Sequence, residues 1–203
     1  MGLGADCAKK TISLFKERRQ GGILKKNENL LANLPLGWAI VVEDESIFIY
    51  DVKVRKVWAV KGSRPRILTT GSHRKICWFG SLSDDGRQLF RRYPNADSDS
   101  FLDYLLHLKR KFKKFVLFID KATYHKKEAR VKRYFRHNRD CIRVRWFPSG
   151  FPESNPIEEC WNQGEADILG SKFYNSFSDF EQACINYYRT RRFRLDVYKY
   201  LCR

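Results

Sequence analysis

A chain of 203 residues can hold one substantial domain with a buried core and is short for two. Its hydrophobic fraction of 43%, with 15% aromatics, excludes a disordered tail even though 31% of the residues are charged. Lys and Arg outnumber Asp and Glu by 40 to 23, and the resulting formal charge of +17 argues against cationic ligands and makes a polyanion, nucleic acid first, the expected partner.

Residues 1–36 are Lys-rich and punctuated by glycine, with a helix expected around 11–19. They read as an N-terminal appendage, partly helical or disordered, ahead of a domain over 37–203. Trp38-Ala39-Ile40-Val41-Val42 is continuously apolar, which suits a central strand covered on both faces. It runs into Glu43-Asp44-Glu45, so a carboxylate cluster is expected at its end. Residues 51–65 read as a short strand plus loop. Arg74 to Leu82 is a better strand, Asp84-Asp85-Gly86 a hairpin turn, and Gln88 to Tyr93 the returning partner.

Asp97 can N-cap a helix whose Phe101, Leu102, Leu105 and Leu108 fall at helical spacing, with a basic run from Lys109 at its C-terminal end. Phe115-Val116-Leu117-Phe118-Ile119 repeats the pattern of the first strand and also ends on a carboxylate, Asp120. A second helix, basic on its outer face, is expected between His125 and Asn138. Ile142, Val144 and Trp146 then alternate with Arg143 and Arg145, as in a strand near a sheet edge. After a Pro-rich loop, Asn155 can N-cap a helix with Pro156 at its first position and Glu158 at the third, running to about Leu169; a last helix covers 178–189.

Six cysteines at 7, 77, 141, 160, 184 and 202 show no C-x-x-C pair and no His at zinc-ligand spacing, so they read as free thiols in a reducing cytosol. No apolar stretch is long enough to span a bilayer and the N-terminus lacks an apolar signal core. The expected location is cytoplasmic, nucleoid-associated in a prokaryote, with no membrane partner. The basic excess is clustered in Lys109-Arg110-Lys111, Lys113-Lys114, Lys126-Lys127 and the runs 130–139 and 189–194, stripes suited to following phosphates.

The order of elements is that of an α/β layered domain with a mixed sheet. Ligands of such sheets bind beyond the carboxyl ends of the strands. If the strands leading to Asp44 and Asp120 are parallel neighbours, about 5 Å apart, their carboxylates converge and repel unless a divalent cation holds both ionised. Mg²⁺ or Mn²⁺ fits, and two ions would serve an in-line displacement at phosphorus. Glu158 is the candidate third carboxylate.

Val42-Glu43-Asp44-Glu45-Ser46, the Trp58-x-x-x-Gly62-x-x-Pro65 segment, Phe118-Ile119-Asp120 with His125 five residues on, and Asn155-Pro156-Ile157-Glu158 with Trp161 together resemble the transposases of the IS630 and Tc1/mariner superfamily. The resemblance covers roughly 37–203, the catalytic half. It implies an RNase H-like fold, a mixed five-stranded sheet flanked by helices, and a DDE triad on Asp44, Asp120 and Glu158, which serve as metal ligands. It also implies cleavage at transposon ends and joining to target DNA, usually at a TA dinucleotide. Lys121 stands where an Asn commonly follows the second Asp, and Ser154 where a Leu usually precedes the Asn-Pro-Ile-Glu box; the 37 residues from 121 to 157 suit the IS630 branch. Helix-turn-helix modules, which 36 residues cannot hold, would come from a separate polypeptide, and action at two ends implies a homodimer.

Each candidate also has a plainer role. Glu158 fits a capping box without any metal. Glu43 and Glu45 rival Asp44, although strand alternation turns them to the opposite face. His125 could orient a phosphate or cap a helix. Trp58, Trp146 and Trp161 could stack on bases or sit in the core. With His125, the expected DNA contacts are Arg143, Arg145, Lys121, Lys126 and Lys127. A catalytically inactive nucleic-acid-binding relic, or another RNase H-like nuclease, would share much of this pattern.

Overall fold

The computed structural model describes residues 25, 27–30, 32–53, 58, 60–64, 66–147, 154–170 and 172–202. The expected helix at 11–19 lies outside them. Strands β1 (Ala39–Ile49), β2 (Lys75–Ser83), β3 (Gln88–Tyr93), β4 (Phe115–Ile119) and β5 (Ile142–Trp146) form one sheet in the order β3-β2-β1-β4-β5. β1 pairs antiparallel with β2 and parallel with β4, and β4 pairs parallel with β5.

The continuous apolar runs of β1 and β4 follow from cover on both faces. Ile40, Val42, Phe48, Val116 and Phe118 point into one core layer, which contains residues of α4 (Ile157–Gly164), α5 (Phe177–Thr190) and α6 (Val197–Leu201). Ala39, Val41, Phe115, Leu117 and Ile119 point the other way, against α1 (Ser98–Phe112) and α3 (Ala129–His137). Each such side chain, buried in full, contributes about 1.5–3 kcal/mol before entropy is counted.

α1 starts where expected, with the Asp97 carboxylate accepting from the Ser100 backbone N–H at 2.9 Å, and ends after the basic run Lys109, Arg110, Lys111. The β2–β3 hairpin turns at Gly86 (φ 80°), a positive φ that favours glycine. Asp84 in the same turn accepts from the Ile40 N–H at 2.9 Å, which pins the hairpin to the start of β1.

Four expectations change. β1 does not stop at its carboxylates but continues to Ile49, because β2 pairs with it as far as Ile49↔Lys75. The strand expected within 51–65 is reduced, among the described residues, to a single parallel bridge between Lys53 and Gly170. The helix expected between His125 and Asn138 is two, α2 (Thr123–Lys126) and α3, separated by Glu128 in an extended conformation. The helix after Pro156 is α-helical only to Gly164 and then widens into a π-helical turn, Glu165–Leu169.

α6, which carries no expectation from the sequence, receives a hydrogen bond from Asn27 Nδ2 to the Leu201 carbonyl at 2.8 Å. Leu30 and Leu34 pack against the same core layer, so part of the segment ahead of residue 37 is docked on the domain. The five described cysteines are free thiols. Among the described residues no helix is long and apolar enough to cross a membrane.

Gly164 is where α4 meets α5: a Cβ there would lie 2.1 Å from the Tyr188 hydroxyl oxygen and 2.9 Å from its Cζ. Tyr188 is buried and boxed in by Trp78, Phe90 and Trp161, so it has no free direction in which to retreat. Gly164→Ala is therefore expected to destabilise the domain by about 1–3 kcal/mol despite its better helix propensity, measured as a lower urea midpoint at unchanged m-value.

Candidate active site

Parallel pairing of β1 with β4 ends at Val42↔Phe118. The same offset carries Asp44 level with Asp120, one residue past the end of β4. Beyond that point β1 runs on with β2 on one side only. Beside Asp44 the sheet therefore has no paired strand on the β4 side, and the two aspartates stand level there.

Alternation sets the direction of each side chain. Asp44 belongs with Ile40, Val42 and Phe48 on the face covered by α4, and Trp161 of α4 donates its indole N–H to Asp44 Oδ2 at 3.0 Å. The indole reaches across β2 because Gly80, directly opposite Asp44 in the register, has no side chain: a Cβ there would lie 2.6 Å from Trp161 Cη2. Glu158 precedes Trp161 by three residues and so shares its helix face. Asn155 Oδ1 accepts from the Ile157 N–H at 3.2 Å, while the Glu158 side chain has no hydrogen-bond partner among the described residues. Glu158 is not spent on a capping box.

The acids feel one another. Burial first, then the charges of Glu45 and Glu158 and, more weakly, Asp120, push the Asp44 carboxyl up to about 8, against the lowering effect of the Trp161 hydrogen bond. Glu158 is raised by burial and by the charge of Glu165. Asp120 moves the other way, held below the usual range by its hydrogen bond with His125, with help from the Ala122 N–H at 2.9 Å.

The two rivals of Asp44 lie on the opposite face. Glu43 is fully buried with neither oxygen hydrogen-bonded, and burial raises its carboxyl well above the ordinary value. Glu45 Oε1 lies 2.7 Å from His125 Nε2, and His125 Nδ1 lies 2.9 Å from Asp120 Oδ1. Burial alone would lower the imidazole; the contacts with Asp120 and Glu45 outweigh it and hold His125 at about 9.

Among the expected DNA contacts His125 is the exception. At 1% exposure and with both nitrogens against carboxylates, it cannot present itself to a surface phosphate. Lys121, Lys126 and Lys127 are exposed just beyond Asp120. Arg143 and Arg145 are exposed and pair with Val116 and Phe118, hence share the sheet face of Asp44; the Arg143 guanidinium rests on the Trp38 ring, 4.4 Å from its centroid. Trp58 is fully exposed, Trp146 partly so, and Trp161 buried. Two features escape the sequence reading: the Trp161–Asp44 hydrogen bond, hinted at only by the three-residue step from Glu158, and the Glu45–His125–Asp120 contacts.

The sequence matches the DDE superfamily endonuclease family over residues 39–181, most of the chain. The chain belongs to the DDE superfamily of endonucleases. No curated protein matches the sequence. Among solved structures, the fold of this DDE domain is similar to that of the Mos1 transposase paired-end complex with left transposon end, at TM-score 0.62 and 16% identity over 91% of this chain and 56% of that one. It is similar in the same way to the Mos1 strand transfer complex, at TM-score 0.64 and 14% identity over 91% of this chain and 56% of that one. A third likeness is to the mariner Mos1 paired-end complex with Mg, at TM-score 0.60 and 14% identity over 90% and 57%. The RNase H-like five-stranded sheet is therefore established, and the chain spans just over half the length of these transposase chains.

As a donor set, Asp44, Asp120 and Glu158 offer hard oxygen ligands, and the burial and neighbouring charges that leave Asp44 a weak acid are what a divalent cation would offset. Their donor chemistry fits such an ion, but the described residues whose ligand atoms already lie within 4.8 Å of one another are Glu43, Glu45 and His125, so an ion would have to draw Asp44, Asp120 and Glu158 together. Trp161→Phe keeps the ring and removes the donor, so the Asp44 titration midpoint should rise above about 8, read from carboxyl ¹³C shifts of Asp-labelled, metal-free protein; an unmoved midpoint would sink the assigned hydrogen bond.

Proposed function

We propose that this DDE domain is the catalytic part of a transposase that cuts DNA at the ends of a mobile element and joins the freed ends to target DNA, with Asp44, Asp120 and Glu158 as its metal-binding carboxylates. The observation that carries this reading is the level register of Asp44 with Asp120, combined with an α4 face that turns Glu158 and Trp161 toward Asp44.

The chemistry is two displacements at phosphorus. In the first, water forms a bond to phosphorus and the P–O3′ bond breaks, leaving a 3′ hydroxyl; in the second, that hydroxyl attacks a target phosphodiester and expels another 3′ oxygen. Bound Mg²⁺ or Mn²⁺, as a pair, would neutralise charge on the phosphate and increase the acidity of the attacking water or hydroxyl. The protein's part is placement. Trp161 fixes one oxygen of Asp44, His125 and the Ala122 N–H fix one of Asp120, and the first turn of α4 presents the exposed Glu158 from a helix anchored by Ile157, Cys160 and Trp161. Lys121, Lys126, Lys127, Arg143 and Arg145 supply positive charge along the strand ends, where a DNA backbone would approach. Recognition of the element's ends would rest with a separate helix-turn-helix polypeptide, and synapsis of two ends with a homodimer.

A supercoiled plasmid, of any sequence because end recognition rests elsewhere, should be nicked by the purified chain in Mg²⁺ or Mn²⁺. Asp120→Asn should abolish nicking while leaving plasmid retention in a mobility-shift assay intact; nicking that survives the substitution would defeat the reading.

Cation binding should also be linked to pH. An acid with a folded midpoint of about 8 against 3.8 unfolded makes the metal-free fold lose stability as pH rises from about 4 toward 8. A cation must displace that proton below pH 8. The rise in Tm produced by Mn²⁺ should therefore grow between about pH 6 and 8 and flatten above. A constant increment across that range would contradict the assignment of Asp44.

A further inference from the structure

We infer that Glu45 and His125 act together as positioning residues that brace Asp120 from the far side of the sheet, selecting which of its oxygens faces the cation. The inference rests on the reading of Asp120 as a metal ligand. Asp120 sits one residue past β4 with its side chain half exposed, so the strand alone does not fix its rotamer. Its Oδ1 is engaged twice, by the Ala122 N–H at 2.9 Å and by His125 Nδ1 at 2.9 Å, while Oδ2 has no partner among the described residues. One oxygen is clamped and the other is left for a ligand.

The clamp is itself held. The His125 side chain is fully buried, with its ring 4.1 Å from the Phe101 ring and 4.4 Å from the Tyr124 ring, centroid to centroid. Its other nitrogen lies 2.7 Å from Glu45 Oε1. The Glu45 contact falls outside hydrogen-bond geometry and acts by charge, yet an imidazole between two carboxylate oxygens cannot turn over without giving up one contact, so Glu45 favours the orientation that puts Nδ1 on Asp120. Alternation along β1 makes this possible: Asp44 faces the α4 side while Glu45, the next residue, reaches the α1 side where His125 is buried. Consecutive residues of one strand thus supply a ligand and the brace of a second ligand. Glu43 adjoins the brace, and single ligand atoms of Glu43, Glu45 and His125 lie within 4.8 Å of one another. A cation bound among these three would separate Glu45 from His125, so the test has to distinguish that case.

Mn²⁺ affinity and stoichiometry of the purified chain, by calorimetry and by electron paramagnetic resonance of free Mn²⁺, provide the readout, with melting temperature as the control for folding. Glu45→Gln, nearly isosteric, should weaken Mn²⁺ binding on the order of 10- to 100-fold at unchanged stoichiometry. His125→Ala should weaken it at least as much, and His125→Asn, whose amide can replace the Nδ1 donor, should recover part of the loss. Affinities of Glu45→Gln and His125→Ala equal to that of the unaltered chain, with binding lost in Asp120→Asn, would overturn the brace and leave Asp120 a ligand. Loss of one bound ion in Glu45→Gln with the remaining affinity intact would overturn it in favour of a cation among Glu43, Glu45 and His125. Undiminished binding in Asp120→Asn would instead remove the ligand assignment on which the inference stands.

Discussion

The parallel pairing of β1 with β4, and the point at which it stops, governs the rest of this molecule. Four residue pairs hold the two strands together, from Ala39↔Phe115 to Val42↔Phe118, and all eight side chains are buried. That apolar contact places two acids level with each other immediately beyond it, an arrangement their charges oppose. Sheet formation wins because the repulsion is confined to the last step of the pairing, where β4 ends and solvent begins, whereas hydrophobic burial accumulates over the whole length. Asp44 is a weakened acid chiefly because it is buried, then through the charges of Glu45 and Glu158, with Asp120 contributing least.

A strand covered on both faces can work in two directions. On the α4 side, Asp44 meets an indole donor that reaches it only because Gly80 leaves the path clear. On the α1 side, Glu43 and Glu45 enter a layer built from Phe79, Phe101, Tyr104 and Leu105, where charge is costly, and Glu45 finds His125. Three consecutive acids thus have three different environments: neutral by burial at Glu43, bound to an indole at Asp44, paired with an imidazole at Glu45. The sequence Glu-Asp-Glu alone carries none of these distinctions.

Much of the fold was legible because its signals are local. The all-apolar strand β4, the Gln88–Tyr93 return, the Asp97 cap and the alternation of Arg143 and Arg145 each read directly as the element found. The misreadings have a common cause in partners distant along the chain. β1 looked finished at Val42 because its acids break the apolar run, and only pairing with β2 carries it to Ile49. The helix after His125 looked continuous because its period is; the contacts of that ring with Asp120 and Glu45 draw α2 inward, and the chain must straighten at Glu128 before α3. Asp44 and Asp120 stand out at the ends of apolar runs and Glu158 through the resemblance, whereas Trp161 and Gly80 carry no such signal, since a hydrogen bond across 117 residues leaves no local trace.

The π-helical turn after α4 joins the third acid to a distant stretch of chain. Glu165 in that turn pairs with Lys53 and also acts on Glu158 by charge, while Lys53 bridges through its backbone to Gly170 at the end of the turn. The crossover between β1 and β2 is thus tethered at its root to the helix bearing Glu158. Length changes in such a connection are ordinarily absorbed at the surface; here, one that moved Lys53 would unmask Glu165 and make Glu158 a weaker acid. Alteration of a surface crossover would then register as a change in how tightly Glu158 keeps its proton.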